Sequence, residues 1–266
     1  MLYFIGTPIG NLEDMSPRAV KTLKEVDIIA CEDTRHSLPL LNKFDIKKQL
    51  ISYHKFNEKK QAEYIISELL KGKSVAVISD AGMPVVSDPG NVLTELLTEN
   101  DIEYTVIPGP SAFICALVLS GLDASKFSFI GFIPEKKKDR NELLNDLKYR
   151  AETLVFYSAP HDVNRDLQDL YTVFGRRKVA CVKEITKMHE KAYRFYLGDE
   201  YIENPKGEFV IVVEGSSEVE EKFDLTIEEH VNLYIMRGMS KKDALKKVSE
   251  ERGIPKNQLY KLTIND

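Results

Sequence analysis

The sequence predicts an α/β protein built as two α/β domains followed by a small helical domain, and three observations predict it. Up to Ile107, short β-branched apolar runs alternate with stretches of helical spacing, the rhythm of a parallel sheet with crossover helices. From residue 121 onward the strand-like runs follow one another more closely, which suits a mixed sheet with antiparallel pairs. After the polar, acidic stretch Gly215–Lys222 the chain turns basic and helical. The expected domains are residues 1–120 with a mainly parallel sheet, residues 121–215 with a mixed sheet, and residues 224–266 as a tail resembling a helix-turn-helix.

Taken in order, Leu2–Ile5 is the first strand, and Ser16-Pro17 starts a helix with Ser16 as cap and proline at the first helical position. Further strands are expected at Asp27–Cys31, Gln49–Tyr53, Lys73–Ser79 and Glu103–Ile107, with Asn91 capping the helix that follows the fourth. In the second part the strands are Phe127–Ile133, Thr153–Tyr157, Arg177–Val182, Ala192–Leu197 and Glu208–Glu214. Helices fall at about 113–120, 139–150 and 162–173. Each early strand empties into a loop dense in Gly, Pro or ionisable residues: Gly6–Leu12, Glu32–Ser37, His54–Glu58, Asp80–Gly90 and Pro108–Ala112. Loops at the carboxyl ends of parallel strands are where open α/β sheets bind ligands, so the coincidence points to one shared site. Asp80–Gly90 is the centre of it. Its Gly82 and Gly90 permit positive φ or close backbone approach, and Pro84 and Pro89 stiffen it.

Several classes are excluded. The first loop lacks the G-x-G-x-x-G spacing of a dinucleotide fold, and Gly72-Lys73-Ser74 lacks the earlier glycine of a P-loop and leads into a strand. No apolar run approaches the ~20 residues of a membrane span, and the N-terminus lacks the basic start of a signal peptide. Cys31, Cys115 and Cys181 lie far apart in apolar surroundings and read as reduced core residues of a cytoplasmic protein. The five histidines show no metal-ligand spacing, so no metal is expected. Net charge is −5, yet Arg237–Lys261 carries eight Lys or Arg against three acids, leaving −10 elsewhere. In that segment Ala244, Leu245 and Val248 form an apolar stripe, with Lys241, Lys242, Lys246 and Lys247 largely off it. A basic face of this kind suits phosphate contact. A second basic cluster, Glu135–Arg140, reads as solvated loop.

Gly6-Thr-Pro-Ile-Gly-Asn-Leu12, Glu32-Asp-Thr-Arg-His36, Asp80-Ala-Gly-Met-Pro-Val-Val-Ser-Asp-Pro-Gly90 and Pro108-Gly-Pro-Ser-Ala112 together resemble the tetrapyrrole methylase superfamily. Within it they are similar to the branch that methylates a cytidine ribose 2′-hydroxyl in bacterial 16S ribosomal RNA. Phe156–His161, Lys183–Glu190 and Gly207–Gly215 match the same branch in order, so the resemblance spans nearly the whole chain. Met83 stands where the family usually has Thr. The resemblance implies the class III methyltransferase fold, with S-adenosylmethionine (SAM) folded in a cleft between the two α/β domains. It implies cofactor contacts from Pro8, Ala81, Gly82, Met83, Val86, Ser111 and Ala112 on one side and Tyr157, Ser158, Ile185, Glu208 and Phe209 on the other. It also implies ribosomal RNA or the small ribosomal subunit as partner, and a homodimer.

Methyl transfer to a ribose hydroxyl is an in-line displacement that a positioned proton acceptor assists. Asp33 and His36 are the candidate acceptors, with His54 behind them, and Arg35 is a candidate phosphate clamp. Glu184, Lys187 and His189 are expected on the opposite wall. Two other functions suit the same residues less fully: methylation of a tetrapyrrole precursor, which gives the basic tail no use, and a non-catalytic RNA-binding or ribosome-assembly factor that keeps a SAM pocket.

Overall fold

The structure, a computed structural model, describes residues 1–217, 225–252 and 254–255. The chain divides into two compact units, residues 1–217 and 218–266. In the first unit β1 (Leu2–Ile5), β2 (Ile28–Cys31), β3 (Gln49–Ser52), β4 (Val75–Ile78) and β5 (Tyr104–Ile107) form one sheet in the order β3-β2-β4-β1-β5, every pair parallel. Alternation decides which face each residue covers. Leu2, Phe4, Ile28, Ala30, Val75 and Val77 pack under α3 (Glu58–Leu70) and α4 (Asn91–Glu99), through Ala62, Ile65, Leu93 and Leu97. Ile5, Ile29, Cys31, Ala76 and Ile78 face α1 (Pro17–Glu25) and α2 (Thr34–Lys43), through Ala19, Leu23 and Leu41. The three central strands β2, β4 and β1 are thus apolar on both faces, as a buried parallel sheet requires. This strand order lines up the loops after β3, β2, β4, β1 and β5 along one sheet edge.

The second sheet holds β6 (Phe127–Phe132), β7 (Thr153–Ser158), β8 (Lys178–Lys183), β9 (Lys191–Tyr196) and β10 (Phe209–Val213), ordered β6-β7-β10-β8-β9. It is mixed: β6 and β7 run parallel, and the remaining three pairs are antiparallel. One face, with Leu154, Phe156, Cys181, Ile211 and Val213, is covered by α6 (Lys137–Leu147) and α7 (Val163–Phe174). The other face, with Val155, Ala180, Val182, Val210 and Val212, is covered by α5 (Ala112–Ser120) through Ala116 and Leu117. A helix that follows β5 in sequence therefore belongs by packing to the second sheet, whereas a division at residue 120 assigns it to the first. Glu135–Arg140 is not loop either. Its last four residues open α6, and the half-buried Arg140 makes a 2.8 Å ion pair with Asp169 of α7.

Local signals account for the start of α1 but not for that of α4. Ser16 accepts a 3.1 Å hydrogen bond from the Ala19 amide, with Pro17 at the first helical position. Asn91 is the first residue of α4 rather than its cap; the cap is Gly90, at φ 153°, which has no side chain to offer. The carboxylate of Glu58 takes over, accepting from the Gly90 amide at 2.7 Å and from the Val92 amide at 3.4 Å. Cys31, Cys115 and Cys181 are free.

The second unit, taken by itself, contains a helical hairpin: α8 (Ile227–Met236), a turn through Gly238 at φ 92°, and α9 (Lys241–Arg252). Thr226 and Glu229 form a reciprocal capping box at the start of α8. Val231, Ala244, Leu245 and Val248 are its buried core, and Lys241, Lys242, Lys246 and Lys247 are exposed, as the stripe predicts. Most of the acidic linker, the glycine turn at 253 and the helix expected beyond it lie outside the described residues. Among the described residues, no helix is long and apolar enough to cross a membrane.

Candidate functional site

Two loops are locked together before any ligand enters. Thr7, at the end of β1, and Gly82, after β4, exchange backbone hydrogen bonds of 2.9 and 3.1 Å, and the buried Thr7 hydroxyl donates to the Ser79 carbonyl at 3.2 Å. The β1 and β5 loops cross so closely that a Cβ on Gly6 would lie 2.6 Å from Gly109 Cα. Close approach thus resides at Gly6 and Gly109. Gly82 answers a different demand, a φ of 82° with ordinary space around it. Met83 ties the same two loops from its side chain, its Sδ accepting from the Gly109 amide at 3.3 Å.

Between this edge and the second sheet lies a cleft of about 330 Å³, within the range of small-molecule sites. Ala81, Gly82, Met83, Val86, Ser111 and Ala112 line it from the first side, and Tyr157, Ser158, Ile185, Glu208 and Phe209 from the second. Pro8 does not line it; it is buried beside Ile9, which does. Ser87, Asp88, Phe113, Phe132, Ala159, Pro160 and Val210 complete the wall and were not singled out from the sequence. Asp88 and Ser87 stand inside the Asp80–Gly90 stretch, so a signal for them exists; Phe132, 62% exposed at the rim, offers none.

The backbone of both walls is strained. Val85 and Ser87 sit at φ 76° and 68°, and across the cleft Glu184 and Thr186 flank Ile185 at φ 51° and 66°. Non-glycine residues hold such angles only where their surroundings impose them, and such positions cluster at functional sites. Glu184 fixes its own wall: its carboxylate accepts from the Glu208 amide and from Lys187, each at 3.0 Å, while Lys187 also reaches Glu208 at 2.7 Å. Ser158 is held by a 2.7 Å hydrogen bond to the buried Asp166.

Burial pushes the Asp88 carboxyl up to about 6, and the Glu32 and Asp80 carboxylates add to the effect. Burial likewise pushes the Tyr157 phenol up to about 12, with Asp88 contributing. The Glu32–His36 segment is not a loop beyond Asp33. Asp33 caps α2, accepting from the Arg35 amide at 2.8 Å, and its carboxylate grips the Arg35 guanidinium at 2.8 and 3.1 Å. Those bonds hold Asp33 at about 2, so it is a poor proton acceptor near neutrality. His36 lies 3.1 Å from Asp80 through Nδ1 and is largely exposed, as is Arg35. None of these three residues lines the cleft. Apolar walls, an exposed loop backbone at Ala81 and a sparse set of polar groups fit an adenosine-bearing cofactor.

Comparison with known proteins agrees. Residues 1–199 match the tetrapyrrole (corrin/porphyrin) methylases. The chain is 41% identical over 271 aligned residues to the ribosomal RNA small subunit methyltransferase I of Halalkalibacterium halodurans, covering 98% of this chain and 93% of that one. Its counterpart in Bacillus subtilis is 40% identical, with 98% and 92% covered. That of Thermotoga maritima is 44% identical, with 80% of this chain covered and 98% of that one. Among solved structures, the methyltransferase CobJ superposes with a TM-score of 0.63 at 19% identity, covering 81% of this chain and 94% of that chain. The uroporphyrin-III-C-methyltransferase from Thermus thermophilus does so at 0.58 and 19%, covering 80% and 93%; both likenesses are of fold. The chain belongs to the tetrapyrrole (corrin/porphyrin) methylase family of SAM-dependent methyltransferases, and within it to the group of the ribosomal RNA small subunit methyltransferases I.

Proposed function

We propose that this protein methylates the 2′ oxygen of a cytidine ribose in small-subunit ribosomal RNA, with SAM held in the cleft between the two sheets. The observation that carries the reading is the near-full-length identity of about 40% to relatives named for that RNA, tail included. A corrin or porphyrin substrate gives the exposed lysines of α9 nothing to bind. When bound, SAM supplies an activated methyl group on a sulfonium. The chain's own residues do the rest. Ala81, Gly82, Met83, Val86, Ser111 and Ala112 hold the cofactor from one wall, and Tyr157, Ser158, Ile185, Glu208 and Phe209 from the other, with Pro8 supporting Ile9 from behind. Arg35, oriented by Asp33 and exposed, grips an RNA phosphate, and His36 stands beside it. Lys241, Lys242, Lys246 and Lys247 add phosphate contacts from the second unit. The exposed Ile114 and Val118, one turn apart on α5, suit a homodimer contact, and Val118 is 73% exposed. The protein works in the cytoplasm, where its substrate is made.

Calorimetric titration with SAM and transfer of a labelled methyl group to small subunits test this reading. A 2′-O-methyl ribose makes its phosphodiester resistant to alkali, so the label should survive hydrolysis as a dinucleotide containing methylated cytidine. Absence of SAM binding, or label recovered on a base, would sink the proposal.

A further inference from the structure

The cleft has few ionisable or committed polar groups, and among them one carboxylate has no ion pair among the described residues. The Ser158 hydroxyl is committed to Asp166, and the Tyr157 phenol stays protonated throughout the working range. Of the two carboxylates in the wall, Glu208 lies 78% exposed at the rim and is neutralised by Lys187 at 2.7 Å. Asp88 is the other. It is half-buried, with no cationic partner among the described residues. It follows the strained Ser87 and precedes Pro89, which restricts the backbone at Asp88 to extended conformations.

Building on the proposed function, we infer that Asp88 is the catalytic residue that takes the proton from the attacking ribose hydroxyl. As the O–C bond forms to the methyl carbon, the C–S bond of the sulfonium breaks and its electron pair stays on sulfur, leaving a neutral thioether. The hydroxyl proton passes to a carboxylate oxygen of Asp88, and the carboxylic acid later loses it to water. Charge balances: one cation and one carboxylate become a thioether and a neutral acid. The ionisable groups around Asp88 suit the task. Glu32 at the end of β2 and Asp80 after β4 raise its proton affinity, the Ser79 hydroxyl partly offsets them, and Tyr157 of β7 faces it from the second sheet as a neutral phenol. Burial first, and then these neighbours, bring it to about 6, near the working pH, where a general base is most effective.

The test is single-turnover methylation at saturating SAM and small subunit, from about pH 5 to about pH 8, alongside carbon-13 titration of the aspartate carboxyls in the RNA-free protein. The wild-type rate should rise about tenfold per pH unit below an inflection near 6 and level off above it. Asp88→Asn should lose about 10²–10⁴-fold in rate and the inflection with it, while still binding SAM by calorimetry. Asp88→Glu should recover part of the rate, and Asp33→Asn should keep the inflection. In the carboxyl titration the resonance that vanishes in Asp88→Asn should titrate near 6, and should move down in Glu32→Gln. An Asp88 carboxyl titrating in the ordinary aspartate range overturns the proposal, as does an Asp88→Asn protein that methylates at the wild-type rate or one whose inflection survives and disappears only in His36→Asn. A wild-type protein that binds SAM but methylates no RNA counts against the proposed function, while the carboxyl titration still judges Asp88.

Discussion

Three glycines at the site look alike in sequence and do different work. At Gly6 and Gly109 two backbones touch, and a methyl group on either would meet main chain that has nowhere to retreat. Gly82 has space for a methyl group but sits at φ 82°. Gly82→Ala should therefore cost about 1–2 kcal/mol through left-handed backbone strain and weaken SAM binding by shifting the loop. Gly6→Ala should cost about 1–3 kcal/mol or more, since the β1 and β5 loops must separate. Urea unfolding of both variants, with SAM calorimetry on whichever folds, checks the ranking. A Gly6→Ala protein as stable as wild type would show that the crossing is looser than the approach to Gly109 indicates. Asp88 belongs to the same scale: the sequence marks its loop as the centre of the site and passes over the residue, because nothing local distinguishes it from Asp80. What separates them is burial by a second sheet some seventy positions later in the chain.

At the scale of elements, most strands were legible, since β-branched runs bounded by turn residues leave little choice. The starts of helices were less so. α2 begins at Thr34, inside a run of charged residues whose polarity suggests a loop, because its buried face begins only at Ser37 and Leu41. For α4 the sequence offers its own Asn91 as cap, but the capping group comes from a residue 32 positions away: Glu58 accepts from Gly90, Val92 and the Tyr53 hydroxyl. No local pattern reveals a cap supplied by another helix. Glu58→Ala should leave these donors unmatched at the end of the cofactor loop and destabilise the protein by about 1–3 kcal/mol. Glu58→Gln, which retains a carbonyl acceptor, should lose less. Denaturant midpoints for the pair decide it, and equal stability of Glu58→Ala and wild type would mean that water replaces the carboxylate at no cost.

For the molecule as a whole, the division at residues 217 and 218 separates the cleft from a helical module most of whose basic residues are gathered from Arg237 onward. Every residue lining the cleft falls in the first unit, and the lysines of α9 fall in the second. Deleting residues 218–266 should leave SAM affinity unchanged and weaken binding to the small subunit. The plot of log affinity against log salt should also flatten, by about one unit for each RNA phosphate that the tail neutralises. Equal RNA affinity and slope in the truncated protein would assign the tail to assembly instead. That tail was legible as basic and helical because Ala244, Leu245 and Val248 repeat at helical spacing. The earlier helix α8 was not, since its two buried residues include a histidine, His230.

The order of strands in the first sheet has a further consequence, which appears only when the chain is followed as it is made. β1 is made before the other strands of its sheet, yet its hydrogen-bonding neighbours are β4 and β5, so Leu2–Ile5 have no strand to pair with until Val75–Ile78 have left the exit tunnel. At about 5–20 residues per second that wait lasts several seconds, during which this apolar segment is open to chaperones and to like segments on neighbouring nascent chains. β8 and β9 pair antiparallel across the short stretch from Lys183 to Lys191 and need no such delay. On the ribosome, then, the half of the cleft carrying Gly6 and Thr7 is begun first and closed late, whereas the hairpin of the opposite wall forms within moments of its synthesis.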